Sequence, residues 1–576
     1  MAAMAARLGR LERWPSRRSS WSAAWPQRKL GWAGVATGGV RAIVNGWSEE
    51  TPMDRRISRR QLLNAVGAAG GSAAVHAAAT ALGLLPTVAR AGQLDLRPAG
   101  GRAPHVVVIG AGIAGLTAAY ELRRAGHRCT VLEASHRPGG RCLTLRRGDV
   151  VDELGARQVC DFDDQPHLYF NAGPARIPGT HTSLLHYCRE LDVPLEIFVN
   201  ENRNAWVHDA AAFGGRPIRN REFMTDARGF LAELLAKSVA PGALDARLDA
   251  DDRERLREFL RAYGDLDASL AYSGSDRAGY ASGGMTSPGV KKPVRDFSAL
   301  LDANFWREYM HWGELADQAA PMLQPVGGMD RIVDGFMRRV GDAVELRAAV
   351  REIRLGETGV EVAYAGARGE VRVVRADYCL NSMPAHLVVG LRHNLPPRYV
   401  RALSAPGRGS LVKLAFQAQR RFWEDEQIYG GISWTNQDIT QIWYPPHGIH
   451  AGTGVILGAY AFDDEPGTRL TRLSPAERIE AALAQGEKIH PDYRRHVGRG
   501  VSVAWYRMNH VLGCSTRWTD EAMRDHFATL QNPAGRHYMV GDQISHHPGW
   551  QEGAIQSAYH ALRDIDRREQ EAGAAG

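Results

Sequence analysis

Residues 105–141 read HVVVIGAGIAGLTAAYELRRAGHRCTVLEASHRPGGR and contain the pattern that decides the fold. Residues 106–109 are apolar and β-branched, which predicts a buried strand. Gly110, Gly112 and Gly115 follow with the spacing G-x-G-x-x-G, and apolar residues then recur at helical spacing. These glycines permit a tight turn, close approach of the backbone to a pyrophosphate, and close packing of a helix on its strand. The stretch therefore predicts a nucleotide-binding βαβ unit.

A second strand is predicted at residues 129–132, and it ends on Glu133, which lies 23 residues after Gly110. An acidic side chain at this strand end accepts hydrogen bonds from ribose hydroxyls and disfavours a 2′-phosphate. The free N–H groups at the start of the intervening helix direct a partial positive charge at the phosphates. The sequence thus predicts an α/β (α+β) fold with a Rossmann-like dinucleotide-binding domain.

A second glycine turn follows, because residues 137–141 read Arg-Pro-Gly-Gly-Arg. Its glycines let backbone N–H groups reach another phosphate, and Arg141 can neutralise the phosphate charge. Gly140 and Arg141 are therefore candidate ligand contacts. An NAD-dependent dehydrogenase needs no second phosphate-binding element, so this turn favours a different dinucleotide.

The C-terminal region supplies two further segments. Residues 538–542, Tyr-Met-Val-Gly-Asp, predict a short strand that ends on an acid, and residues 548–558 read PGWQEGAIQSA. Together with the glycine fingerprint, Glu133 and the Gly-Gly-Arg turn, these segments resemble the flavin-dependent amine oxidase superfamily. Intermediate segments occur in the superfamily's order at residues 326–330, around Val350 and at residues 377–384.

The resemblance implies that FAD is the cofactor. In that superfamily the acid at the Asp542 position contacts the ribityl–pyrophosphate region, and the residue at the Trp505 position packs near a face of the flavin. No cysteine lies at the attachment position expected near the C-terminal segment, so non-covalent FAD is predicted. The predicted cofactor-binding residues are Gly110, Gly112, Gly115, Glu133, Gly140, Arg141, Val350, Trp505 and Asp542.

Residues 169–178, Tyr-Phe-Asn-Ala-Gly-Pro-Ala-Arg-Ile-Pro, resemble a segment that marks the L-amino acid oxidases within the superfamily. The resemblance implies that Arg176 holds the substrate α-carboxylate, which a guanidinium matches with two parallel hydrogen bonds. Monoamine and polyamine oxidases bind no carboxylate and lack this residue. The alternative is that Arg176 is a surface arginine or a phosphate contact.

Three more substrate-binding residues are implied by the resemblance. Tyr460, in the strand predicted at residues 454–460, corresponds to a tyrosine whose hydroxyl is a second partner of the carboxylate. Trp550 corresponds to an aromatic ring that flanks the substrate. The backbone carbonyl of Gly549 corresponds to an acceptor for the substrate amine.

Lys413 stands in an alternating, apolar strand pattern that continues to residues 422–425. Lysines are rarely buried, so a lysine in this setting requires an explanation. The resemblance implies that Lys413 binds a water molecule beside the flavin N5 atom and assists reoxidation by oxygen. The alternative is a lysine that extends from an edge strand into solvent. Lys413 and Arg176 are the predicted catalytic residues.

These residues predict FAD-dependent oxidative deamination of L-amino acids to 2-oxo acids, ammonia and hydrogen peroxide. The abundant tryptophan and tyrosine suggest a bulky neutral or aromatic substrate. A monoamine or polyamine oxidase and an L-amino-acid 2-monooxygenase are alternatives from the same superfamily. A non-catalytic flavoprotein that acts as a binding module is an alternative from another class. The predicted partners are the amino acid and oxygen, without nucleic acid, and a homodimer stays open.

The flavin segments are separated in sequence, which predicts a discontinuous FAD-binding domain at residues 92–165, 321–390 and 501–576. The substrate-binding domain is predicted at residues 166–320 and 391–500, as a mixed sheet with a helical insertion at about 222–312. Within that insertion, residues 271–293 predict a long loop. The aromatic stretch at 305–312 could line the pocket, but packing is the simpler interpretation.

The basic charge belongs to the N-terminus. The chain has a formal net charge of +7, but residues 1–91 alone carry 13 Lys and Arg against 4 Asp and Glu. The remainder is slightly acidic, so the basic pI does not indicate nucleic-acid binding.

Residues 53–91 resemble a twin-arginine signal peptide, with Ser-Arg-Arg-Gln-Leu-Leu at 58–63 and cleavage expected after Ala91. They predict a periplasmic or secreted protein without stable membrane insertion after cleavage. A retained membrane anchor is the alternative. Residues 1–52 have no periodicity, and translation is expected to begin at Met53, which would make them a gene-model extension.

Neither the cysteines nor the histidines indicate a metal site. The six cysteines show no C-x-x-C spacing, which favours buried free thiols and leaves one disulfide open. The histidines lack metal-ligand spacing with supporting ligands, so no metal is predicted.

Overall fold

The computed structural model describes residues 94–97, 103–239, 248–304, 308–462 and 464–575. All of them belong to one compact unit, Val88–Gly576. The predictions for residues 1–52 and for the export signal lie outside the described residues. No helix in the described ranges combines the length and the apolar character that crossing a membrane requires.

A five-stranded parallel sheet is built around the glycine fingerprint. Its central strand, His105–Ile109, is apolar and almost completely buried, and the fingerprint follows it directly. This arrangement confirms the predicted α/β fold with a Rossmann-like unit. In spatial order the strands of this parallel sheet are Val344–Leu346, Arg128–Glu133, His105–Ile109, Tyr378–Asn381 and His537–Met539.

Two helices cover one face of the parallel sheet. The helix Ile113–Arg124 begins at the fingerprint, and the C-terminal helix Gln551–Ala575 packs against it. Leu116 and Leu122 of the first helix share a buried cluster with Ile555 of the second. Burial of such side chains contributes about 1.5–3 kcal/mol each, so distant parts of the chain are joined at the nucleotide-binding layer.

A seven-stranded mixed sheet forms the second layer. Its strand Val412–Ala418 is buried along its whole length, because antiparallel neighbours pair with it on both sides. Lys413 therefore lies on an interior strand, which rules out the edge-strand alternative. The strand ends at Ala418, so the predicted continuation to residues 422–425 is wrong, and Phe422–Asp425 is a short helix. In spatial order the mixed sheet contains Ile218–Arg219, Trp206–His208, Gly431–Thr435, Gln441–Tyr444, Gly454–Ala461, Val412–Ala418 and Val497–Ala504.

Smaller sheets connect these layers. A four-stranded sheet consists of Val371–Ala376, Val360–Ala365, Ala349–Leu355 and Arg392–His393, and a three-stranded sheet of Ile177–Pro178, Met322–Pro325 and Leu195–Phe198. The two-stranded pairs are Thr144–Leu145 with Phe170–Asn171, Val150–Glu153 with Ala156–Val159, Gly407–Arg408 with Thr516–Arg517, and Tyr280–Ser282 with Val290–Lys291.

The insertion after the mixed sheet's first strands is helical. Asn220–Ser238 and Ala250–Gly264 are long helices that pack against each other. Residues 271–293 are not an unbroken loop, because they include the hairpin Tyr280–Ser282 with Val290–Lys291. The remaining α-helices are Thr182–Glu190, Phe297–Asp302, Glu308–His311, Arg331–Val340, Ala385–Val388, Pro397–Ser404, Asp464–Arg472, Pro475–Gly486, Tyr493–His496, Asp520–Ala522 and Ala528–Gln531.

All six cysteines are free thiols, and four of them are buried. The predicted free-thiol state is therefore found, and the disulfide alternative is not. The parallel sheet draws its strands from positions as far apart as His105–Ile109 and His537–Met539. This sheet is thus discontinuous in sequence, while the exact domain boundaries stay a prediction.

Candidate active site

One cavity of about 1250 Å³ reaches from the glycine fingerprint to the mixed sheet. Its volume exceeds the roughly 300–1,000 Å³ typical of a single small ligand, which fits a cavity shared by a cofactor and a substrate. Every predicted site residue except Gly115 lines it. The lining residues predicted from sequence are Gly110, Gly112, Glu133, Gly140, Arg141, Arg176, Val350, Lys413, Tyr460, Trp505, Asp542, Gly549 and Trp550.

The fingerprint glycines fit a pyrophosphate. Gly110 adopts φ +93°, which side-chain-bearing residues rarely adopt. A Cβ on Gly112 would meet nothing within 4 Å, whereas a Cβ on Gly115 would lie 2.0 Å from the Gly110 carbonyl oxygen. Gly112 therefore leaves space beside the backbone for a ligand, and Gly115 lets the helix pack closely on the strand. The second turn is joined to the first, because Gly139 N donates to Ala111 O at 2.7 Å.

Glu133 is buried at the end of its strand and braces the fingerprint loop. Its Oε2 accepts from Ala111 N at 2.7 Å, and its Oε1 accepts from Ser135 N at 2.8 Å. A carboxylate has about four lone-pair sites, so acceptor capacity for ribose hydroxyls is left.

Arg141 and Asp542 form an ion pair in the cavity wall. Arg141 Nη1 donates to Asp542 Oδ2 at 3.0 Å and to Cys514 O at 2.8 Å, and Gly549 N donates to Asp542 Oδ2 at 2.7 Å. Burial opposes ionisation of Asp542, but the Arg141 charge and these donors hold its pKa below the usual value. The pair thus fixes the second glycine turn against the C-terminal segment, and Arg141 has a counter-charge within the protein.

Arg176 is buried in the opposite part of the cavity, 6% exposed. Its guanidinium carbon lies 4.6 Å from the ring centroid of Trp443 and 5.5 Å from those of Trp312 and Trp550. Burial lowers the pKa of Arg176 to about 10, although the neighbouring Tyr460 hydroxyl favours the charged form. Arg176 therefore stays charged at neutral pH. Among the described residues, no carboxylate forms an ion pair with it.

Lys413 is paired directly with Tyr460 across neighbouring strands of the mixed sheet. Lys413 Nζ donates to Gly173 O at 2.5 Å and lies 4.5 Å from the Tyr460 ring centroid. Burial and the charge of Arg176 lower the pKa of Lys413 to about 7. The mixed sheet thus places Lys413 and Tyr460 beside Arg176 at one end of the cavity.

The remaining predicted residues line the cavity between these two ends. Trp505 is fully buried, and its Nε1 donates to Ala172 O at 2.9 Å. Val350 is buried on Ala349–Leu355, an inner strand of the four-stranded sheet. Trp550 packs edge-on against His181, with ring centroids 4.9 Å apart. Gly549 adopts φ +86°, which a residue with a side chain would adopt only under strain.

The cavity lining also contains residues that the sequence did not predict as part of the site, and three of them bear on its chemistry. Trp312 lies in the aromatic stretch for which packing was the simpler interpretation, but it lines the cavity beside Arg176, so the alternative holds for Trp312. Gln318 accepts two hydrogen bonds from Arg176, and nothing in its sequence context signals this. Cys514 also lines the cavity. A cysteine does therefore lie near the C-terminal segment, and non-covalent FAD stays a prediction.

Comparison with known proteins assigns the family. The profile described as "Flavin containing amine oxidoreductase" matches residues 113–565, which is most of the chain. The chain belongs to the flavin-containing amine oxidoreductase family. A second profile, "Pyridine nucleotide-disulphide oxidoreductase", matches residues 60–153, a range that includes the glycine fingerprint. The chain is thus an FAD-dependent oxidoreductase that acts on amines or amino acids, and the predicted cofactor is confirmed.

Curated relatives include L-amino-acid oxidases. The protein of that name from Echis ocellatus is 28% identical over 484 residues, which covers 80% of this chain and 89% of that protein. The one from Notechis scutatus scutatus is 28% identical over 479 residues, covering 81% and 87%.

Solved structures of other family members share the fold. A triple mutant of putrescine oxidase aligns with a TM-score of 0.54 at 22% identity, covering 81% of this chain and 99% of that chain. Cyclohexylamine oxidase from Brevibacterium oxydans IH-35A aligns with a TM-score of 0.54 at 19% identity, with the same coverage. At this level of identity the likeness establishes the fold alone.

Proposed function

We propose that this flavoprotein oxidises L-amino acids to 2-oxo acids, with release of ammonia and hydrogen peroxide. The observation that carries the proposal is Arg176, a buried guanidinium in the cavity wall with no carboxylate partner among the described residues. Burying a charge without a counter-charge is costly, so such a group is normally paired. A substrate α-carboxylate supplies the missing charge.

The wall around Arg176 favours a bulky neutral or aromatic side chain. Trp312, Trp443, Trp550 and Tyr460 surround the guanidinium. The acidic side chains that line the described part of the cavity are Glu133, Asp152 and Asp542, none of which contacts Arg176. Lys413 and Arg176 would repel a cationic side chain. We therefore expect basic amino acids and diamines to be poor substrates.

When bound, FAD would supply the redox chemistry by accepting two electrons from the substrate and passing them to oxygen. The chain's own residues hold the substrate in place. Arg176 and Tyr460 bind the carboxylate, Trp550 flanks the substrate, and the Gly549 carbonyl accepts from its amine. Fixing the substrate in this way replaces an encounter by a prearranged contact, which is a large part of the rate enhancement in such sites.

The proposal is tested by a peroxide assay over all L-amino acids, with the decarboxylated amines measured in parallel. We expect peroxide from L-amino acids with bulky neutral or aromatic side chains, and little from the corresponding amines. A preference for amines would indicate a monoamine or polyamine oxidase. Release of carbon dioxide with formation of an amide would indicate a monooxygenase.

Activity is expected to rise with pH. The substrate must lose its amine proton before oxidation, and in the part of the chain that the structure describes no carboxylate adjoins Arg176 to accept that proton. In addition, protonation of Lys413 below about pH 7 places a second positive charge beside Arg176 and disfavours a cationic amine. We expect kcat/KM for an L-amino acid to increase from about pH 6 to about pH 9. A flat profile over this range would contradict the account.

Lys413 is proposed to assist reaction with oxygen. We expect Lys413→Met to slow oxidation of the reduced enzyme by about 100-fold below about pH 7, where the lysine is protonated and its positive charge stabilises developing negative charge. Anaerobic reduction by substrate should change much less. Stopped-flow absorbance measures the two half-reactions separately, and Lys488→Met, at an exposed lysine, is the matched control. Equal slowing of both half-reactions would argue against this role.

We also propose export by the twin-arginine route, on the sequence of residues 53–91 alone. N-terminal sequencing of protein secreted or released from the periplasm should begin after Ala91. A protein that stays in the cytoplasm with an intact N-terminus would contradict export.

A further inference from the structure

Residues 312–318 close one side of the cavity next to Arg176, and two of their side chains line it. Gln318 Oε1 accepts from Arg176 Nε at 3.1 Å and from Nη2 at 2.5 Å. We infer that Gln318 is a specificity-determining residue, which orients Arg176 without neutralising it and so reserves its charge for a substrate carboxylate. This inference rests on the proposed function.

The two hydrogen bonds to Gln318 define which edge of the Arg176 guanidinium Gln318 leaves open. A guanidinium is a planar group with donors only, so the amide must present its oxygen. Gln318 occupies the side edge, Nε and Nη2, and the Tyr460 hydroxyl also hydrogen-bonds the guanidinium. Gln318 does not take the end edge. A carboxylate binds a guanidinium through two parallel hydrogen bonds, and the end edge formed by Nη1 and Nη2 offers that geometry.

The Gln318 amide is neutral, so it does not neutralise the charge of Arg176. A glutamate at this position would reach the same two donors and form an internal bidentate ion pair with Arg176. The glutamate would then neutralise the positive charge of Arg176 that attracts a substrate carboxylate. Trp312, which lines the same wall, has an indole N–H that finds no acceptor among the described residues although the residue is buried.

The backbone fixes the position of the Gln318 amide. Gln318 O accepts from Asn200 Nδ2 at 2.7 Å, and Gln318 N donates to Leu315 O at 2.8 Å. The preceding residue, Asp317, lies 3.3 Å from His181 Nε2 and 3.7 Å from His547 Nδ1. Hydrogen bonds from Asn200 and to Leu315 therefore fix the Gln318 backbone, and this limits the positions that its side-chain amide can take beside Arg176.

The test is the substitution Gln318→Glu, measured with the best L-amino acid and its decarboxylated amine. We expect kcat/KM for the amino acid to fall by about 10- to 100-fold, the range for loss of a hydrogen-bonded charged contact. We expect kcat/KM for the amine to stay level or rise, because the internal glutamate removes the repulsion between Arg176 and a cationic amine. Loss of a merely structural residue would lower both values together.

The matched control is Gln318→Met, which removes the acceptor but adds no charge. We expect this variant still to prefer the amino acid over the amine, with a ratio lower than the wild-type ratio by several-fold at most. We also expect weaker binding of benzoate, a carboxylate probe without an amine, by several-fold in a flavin absorbance titration, because Arg176 loses its orienting partner. If Gln318→Glu does not fold with FAD, benzoate binding to Gln318→Met decides the matter, and unchanged affinity would overturn the inference.

Failure of the proposed function and failure of the role of Gln318 give different results. A wild-type enzyme that oxidises the amine better than the amino acid refutes the proposed function itself. A wild type that prefers the amino acid, together with a folded, FAD-loaded Gln318→Glu variant that keeps the same preference, refutes only the role of Gln318.

Discussion

Arg176→Met is expected to lower kcat/KM for L-amino acids by about 100- to 1,000-fold, because removing one partner of a buried, hydrogen-bonded charge pair costs about 2–5 kcal/mol. The guanidinium is buried among tryptophans and has no other counter-charge among the described residues. The corresponding decarboxylated amine makes no such pair, so its kcat/KM should change by less than about 10-fold. Steady-state peroxide assays with both substrates measure the two effects.

Arg176→Lys is the control that keeps the charge and loses the planar fork. Its kcat/KM for the amino acid should lie between those of the wild type and of Arg176→Met. If Arg176→Met instead impairs the amino acid and the amine equally, Arg176 supports the structure of the cavity rather than binding a carboxylate.

Gly115→Ala is expected to destabilise the protein by about 3 kcal/mol or more and to abolish recovery of FAD-loaded enzyme. A Cβ at this position would lie 2.0 Å from the Gly110 carbonyl oxygen and 3.2 Å from Val108 Cγ1. The helix would have to move away from the central strand, and the phosphate-binding loop would move with it. Thermal unfolding and the flavin-to-protein absorbance ratio measure both consequences.

Gly112→Ala separates cofactor binding from folding. Gly112 has φ −73°, which alanine adopts without strain, and its added Cβ would meet no protein atom within 4 Å. We therefore expect the unfolding temperature of the apoprotein to stay within about 2 °C of wild type. FAD affinity should fall by about 10- to 100-fold, since the methyl group enters the space where a pyrophosphate approaches the backbone. Unchanged FAD affinity would show that the pyrophosphate binds elsewhere.

Much of the nucleotide-binding layer was predictable from local sequence. The fingerprint carries its own geometric requirements, so Gly110, Gly112 and Gly115 are found at the turn, the open face and the helix contact that their spacing predicts. The end of the strand at Glu133 was likewise predictable, because the apolar run stops there and the Arg-Pro-Gly-Gly-Arg turn follows shortly after it. The sequence did not predict the hydrogen bond in which Glu133 accepts from Ala111 N in the fingerprint loop.

The substrate end was less predictable, because its residues come together only through tertiary packing. Lys413 and Tyr460 are direct neighbours across two strands, a register that neither strand specifies alone. Trp312 and Gln318 lie in a segment without strong periodicity, and only its fold against Arg176 gives them a role. The wrong extension of the Lys413 strand had a local cause, since the apolar residues Phe422 and Trp423 suit a buried short helix as well as a strand.

The proposed oxidation of L-amino acids is tested most directly by a product analysis of the wild-type enzyme. The enzyme is given equimolar L-phenylalanine and 2-phenylethylamine in air, and the products are identified by mass spectrometry. Oxidative deamination of L-amino acids predicts phenylpyruvate in large excess over phenylacetaldehyde, with ammonia and hydrogen peroxide. An excess of phenylacetaldehyde, or 2-phenylacetamide formed with carbon dioxide, would contradict it.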